Sequence, residues 1–107
     1  MAIELSEGLH EALKLVASEH CIKKGMNLTI LDREIVDGHG FYTFQGSKAP
    51  RATKVFPNGT IYCSCDGFRF HHMAEKKQLC SHLVGSMVDM ANHGVDVPQI
   101  ISKMIMG

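Results

Sequence analysis

Two tight pairs of soft ligands, Cys63 with Cys65 and Cys80 with His82, stand fourteen residues apart in the pattern C-x-C-x14-C-x-H. Few features constrain a short chain more, because zinc binds such donors as a tetrahedron at about 2.0–2.3 Å and two pairs joined by a loop can close around one ion. In an extended segment residues i and i+2 point to one face, so Cys63 and Cys65 fit the end of a β-strand. Two positions in an α-helix differ by about 200° of rotation, so Cys80 and His82 cannot both serve from inside one. Cys80 should therefore lie just outside a helix that begins near Ser81 or His82, with Ser81 as a competent N-cap. There the helix dipole and a metal would both favour the thiolate. One zinc per chain is expected, held by Cys63, Cys65, Cys80 and His82. His71 and His72 are rival ligands, and the tight pairing with Cys80 favours His82. A Cys63–Cys65 disulfide would be strained.

Around these ligands Tyr62 precedes the first cysteine, Phe68 follows the second by three residues, and Leu83 and Val84 lead to a small Gly85. Over about residues 51 to 91 this pattern resembles the SWIM zinc finger of bacterial helicase-like ATPases, Mutator-type transposases and recombination accessory proteins. It differs at Ser81, where that family often has a basic residue, and at Asp66-Gly67, which replaces proline-aspartate. The resemblance implies a zinc module preceded by a hairpin, followed by an apolar helix and engaged with nucleic acid.

The 107 residues allow one domain with a modest core, in which a structural metal would supply useful folding free energy. Its expected segments are 1–50 (helix and strands), 51–91 (the SWIM-like finger) and 92–107 (a helical tail). No apolar run is long enough to span a bilayer and the start lacks the plan of a signal peptide, so an intracellular location is expected. Residues 6–24 read as one amphipathic helix, with Ser6 as N-cap, Leu9, Leu13, Val16 and Ala17 on its apolar side, and Gly25 as its stop. His20 and Cys21 read as core edge and surface, remote from the main site. Met26 to Leu31 and Phe41 to Gln45 read as strands separated by the turn-rich DREIVDGHG. Thr53 to Phe56 and Thr60 to Cys63 form a hairpin about Pro57-Asn58-Gly59. Phe68 and Phe70 are placed over the metal. Leu83 to Ala91 is apolar almost all round and predicts a covered helix ended by Gly94, and a short final helix follows with Pro98 in its first turn. The seven methionines read as gap-filling core. The expected fold is α+β: an antiparallel sheet of three or four strands, an N-terminal helix and C-terminal helices.

Net charge is zero but unevenly spread. Residues 1–40 carry four basic against seven acidic groups, whereas residues 41–82 carry six against two. The basic excess makes Lys48, Arg51, Lys54 and Arg69 candidate phosphate contacts. Base stacking would additionally need Tyr42, Tyr62, Phe68 or Phe70 at the surface. Three cysteines and a histidine fill the zinc sphere and leave no place for an activated water, so a binding module rather than an enzyme is expected. Two roles follow: a nucleic-acid accessory protein in replication, recombination or transcription, or an adaptor whose apolar helices dock on a larger protein or self-associate.

Overall fold

Leu9 and Leu13 lie one helical turn apart on α1 (Glu7–Lys14) and are both buried. The computed structural model describes residues 7–46, 48–65 and 79–106; Ser6, the expected N-cap, lies outside them. The single helix expected over 6–24 is in fact two. Ser18 leaves helical geometry at φ −77°, ψ 157°, and its hydroxyl accepts from the Cys21 amide, capping α2 (Glu19–Met26). A serine that can cap is worth more at a helix start than inside one, and here local chemistry overrides the apolar periodicity. The break also frees the Val16 carbonyl, which accepts from the Leu79 amide at 2.7 Å.

Gly25 does not stop the helix. It lies buried inside α2, and Asn27 provides the cap. A Cβ at Gly25 would meet the Ser81 carbonyl oxygen at 2.6 Å, and one at Gly85 would meet the Gly25 carbonyl oxygen at 2.8 Å. Two glycines thus set how closely α2 crosses α3 (Ser81–Asn92).

Four antiparallel strands follow in chain order, β1 (Ile30–Val36), β2 (His39–Phe44), β3 (Arg51–Val55) and β4 (Ile61–Cys63). The first strand lies later than expected, because most of DREIVDGHG is strand and only Asp37-Gly38 turns. Both residues have positive φ (50° and 79°), as a two-residue hairpin turn of the right twist requires. Gly40, Tyr42, Phe44, Thr53, Val55 and Cys63 face inward, where α3 packs on β2, β3 and β4. The alternate residues Ala52, Lys54 and Tyr62 are exposed, as are Asp32 and Glu34 of β1, with Phe41 and Thr43 half-buried between them, so among the described residues this face of the sheet is the open one.

α3 is the central element, with Leu83 to Met90 buried without interruption. Gly94, at φ 89°, ends it as expected: the Gly94 amide donates to Ala91 and that of Val95 to Met90. α4 (Val97–Met106) then turns back, with Pro98 in its first turn, and packs on α1 and α3. One hydrophobic cluster joins Leu9 and Leu13, the inner sheet face, α3 and Ile101. The fold is therefore α+β, with the helices on one side of a four-stranded antiparallel sheet. Among the described residues no helix is long and apolar enough to cross a membrane.

Candidate metal centre

Cys63 closes β4 opposite Thr53 of β3. Beyond it the pairing is carried on by hand: the Ser64 amide donates to the Ala52 carbonyl and the Ala52 amide to the Ser64 hydroxyl, each at 3.0 Å. This clasp keeps the chain extended for two more residues, so Cys65 returns to the inner face and is buried like Cys63. The C-x-C pair sits at a strand end, as its spacing predicts.

The other pair arrives from α3. Cys80, not Ser81, is the N-cap residue: its backbone is extended at φ −79°, ψ 169°, and its side chain makes no capping hydrogen bond. Ser81 is instead the first helical residue. The sulfur, too large and weak an acceptor to cap as serine does, is left for the cluster. His82 lies in the first turn, with Phe44 tilted against its ring at 5.9 Å between centroids. Below it the Ser86 hydroxyl donates to the His82 carbonyl at 2.9 Å and shares a buried hydrogen bond with Thr53. These contacts help to hold the start of α3 above β3.

The donor atoms of Cys63, Cys65, Cys80 and His82 all lie within 4.8 Å of one another. Ligands at about 2.3 Å from a tetrahedral zinc stand roughly 3.8 Å apart, so the quartet needs only a small contraction to share one. Its chemistry also asks for a cation. Nδ1 of His82 is buried with no hydrogen-bond partner among the described residues, which is costly for a polar atom unless a metal takes the lone pair. Hydrogen bonding to Cys65, with burial, pushes the Cys63 thiol up to about 11. Cys80 is raised further, first by hydrogen bonding to Cys63 and then to Cys65. The Cys63 and Cys80 thiols hold their protons unless a dication replaces them, and zinc suits the Cys3His set.

Two further groups border the site without a sequence signal to announce them. His20 and Cys21, read as remote, line an open cavity of about 220 Å³ with Lys24, Cys65, Cys80, Ser81 and His82. The break at Ser18 and the close crossing at Gly25 bring the start of α2 there. His71, His72, Phe68, Phe70 and Arg69 lie outside the described residues. Of the other candidate phosphate contacts, Lys48 and Lys54 are exposed and Arg51 is half-buried. Arg51 and Lys54 leave β3 on opposite faces: Arg51 shares the inward register of Thr53 and reaches the Ser64 carbonyl at 3.5 Å, whereas Lys54 lies over the Tyr62 ring, 5.8 Å from its centroid. Tyr42 is buried in the core and Tyr62 is 48% exposed.

No family model matches the chain, and neither a curated protein nor a solved structure matches it.

Proposed function

We propose that the protein is a non-catalytic, zinc-stabilised module that binds nucleic acid through the strands its metal centre holds, as an accessory to replication, recombination or transcription. The observation that supports this reading is the state of the basic residues on β3 and the connection before it. Among the described residues, the ion pairs with carboxylates involve His10, Lys14, Arg33 and His93, and none involves Lys48, Arg51 or Lys54. Cations without a carboxylate partner among the described residues, next to a strand that ends in the metal centre, are suited to phosphates. The resemblance of residues 51–91 to SWIM fingers points the same way. Lys54 and Lys48 are the residues proposed to meet phosphate, and Arg69, outside the described residues, is added to them on its sequence position alone. Arg51, already turned to Ser64, contacts it from the end of the sheet.

Zero net charge gives little long-range steering, so binding by the isolated chain should be weak and strongly salt-dependent. Retention of the zinc-loaded protein on an immobilised nucleic-acid column at two salt concentrations tests it. Lys48→Ala with Lys54→Ala should lower both retention and its salt dependence, because phosphate contacts release counterions. A second reading is favoured by α4, where Ile105 and Met106 are 51% and 84% exposed. If retention is absent at low salt, this apolar end of an adaptor becomes the better account.

A further inference from the structure

The open face of the sheet carries a row that the sequence does not display. Phe41 of β2 is the register partner of Lys54 of β3, and Lys54 is the register partner of Tyr62 of β4. Residues paired in this way project on the same side of neighbouring strands, so the three side chains form one line across the open face. Strands are spaced at about 4.8 Å, which places the two aromatic positions roughly 10 Å apart with a cation between them. Each ring is braced: Phe56 meets Phe41 edge-on with centroids 6.0 Å apart, and the Lys54 ammonium lies over Tyr62. On the other side of Phe41 the row continues to Glu34 of the acidic β1, and Asp32 follows opposite Thr43.

We infer that this row is a stacking platform for single-stranded nucleic acid. The inference rests on the nucleic-acid reading above and specifies its substrate. Base planes are accessible for stacking on side chains only where they are not stacked inside a duplex, and an aromatic face accepts any base because every base has a π-face. A cation flanked by two rings matches a strand that alternates base and phosphate: bases lie on Tyr62 and Phe41, and the intervening phosphate meets Lys54. Asp32 and Glu34 repel phosphates from β1 and confine the strand to the β2–β4 side. The metal centre fixes the far end of β4 one residue from Tyr62, so the platform is rigid before the ligand arrives and little ordering cost is left to binding. A tyrosine 48% exposed beside a lysine, on a sheet with no helix over that face among the described residues, is accounted for by this use.

Fluorescence anisotropy on the zinc-loaded full chain tests the inference, with a labelled oligothymidylate, a labelled oligouridylate and a labelled mixed-sequence duplex at the same low salt. Both single strands should bind about tenfold or more tightly than the duplex. Tyr62→Ala should weaken single-strand binding by about tenfold, the scale of one lost base stack, and Tyr62→Phe should restore it. Neither variant should change the salt slope, since no phosphate contact is lost; Lys54→Ala should reduce it. Tyr62 is at the surface, so circular dichroism should show both variants folded. Equal binding of duplex and single strands, or a single-strand preference indifferent to Tyr62→Ala, would overturn the stacking platform and leave the broader reading intact. Absence of saturable binding to all three probes would overturn that reading as well.

Discussion

The two ends of α3 are fastened to the sheet by unlike chemistry. At its start, Cys80 and His82 face Cys63 and Cys65 across a gap that suits a soft dication. Near its other end Asp89, 4% exposed, accepts from the Arg33 guanidinium at 2.5 and 2.9 Å and from the Tyr42 hydroxyl at 2.6 Å. One end would be completed by a metal taken up in exchange for thiol protons. The other is complete in protein alone, a buried carboxylate answered by a two-pronged cation and a phenol. The difference teaches that short β4, with three residues, gains from an external tie, whereas the longer β1 and β2, paired on both sides of an irregularity at Leu31, can support a network of their own.

The largest expected effect is therefore at the metal end. Structural zinc supplies about 10–16 kcal/mol of apparent binding free energy in small fingers, comparable with the whole stability of an ordinary domain. Chelation, or Cys80→Ser, should abolish cooperative unfolding and broaden the amide spectrum. Elemental analysis should find one zinc per chain, lost in His82→Ala and kept when His71 and His72 are both replaced. A metal-free chain with an unchanged, well-dispersed spectrum would show that the Asp89 end suffices alone.

Asp89→Ala should cost about 3 kcal/mol, the low end for breaking a buried pair because Arg33 is partly solvated. Zinc stoichiometry should not change. Burial opposes ionisation of Asp89, but the hydrogen bonds from Arg33 and Tyr42 prevail and hold its pKa below the ordinary value. The sign follows: a depressed carboxylate pKa adds stability above the unfolded value of about 3.9, and this is lost as pH falls through the folded one. Urea denaturation in excess zinc should show a constant gap between wild type and Asp89→Ala from neutral pH down to about 5, closing below about 4. A gap that widens in acid would mean that Asp89 is protonated in the fold.

The two ends also differed in how far the sequence announced them. The metal quartet was legible because ligand chemistry fixes residue types and spacing together. So was the hairpin after Val55, where Pro57-Asn58-Gly59 leaves the chain little choice. The Asp89 network gave no such signal: Arg33 and Asp89 are 56 residues apart and their meeting depends on register. The split at Ser18 and the strand over Asp32 to Val36 were obscured for a related reason. Periodicity and turn composition are local, whereas a serine cap and an edge strand that points its acids outward are decided by what lies across from them. Gly25 was read as a helix stop by the same local rule, though its missing side chain serves a neighbouring helix.

Gly25→Ala should sharpen the comparison. Its new Cβ would press on the Ser81 carbonyl, which is backbone and cannot rotate away, and on Val84. Overpacking of this kind costs about 1–3 kcal/mol. Because the push falls on the residue between Cys80 and His82, zinc affinity in a competition with a chromogenic chelator should fall too, unlike in Asp89→Ala. Gly85→Ala should act alike, since its Cβ would meet the Gly25 carbonyl. Unchanged affinity in both variants would separate the helix crossing from the metal end.

The smallest expected effect marks where the Asp89 network stops. His93 closes α3, and its Nδ1 is 2.8 Å from the Asp89 carbonyl and 3.4 Å from the carboxylate. This side chain is 45% exposed, so solvent and salt screen its interaction with the carboxylate. The carboxylate already accepts from Arg33 twice and from Tyr42, so it is not orphaned when the imidazole goes. His93→Ala should then cost about 0.5 kcal/mol or less, fading in high salt, as exposed pairs do. Measured by urea denaturation beside Asp89→Ala, a loss of several times that size would make His93 a fourth member of the network and extend the metal-free fastening to the last turn of the helix.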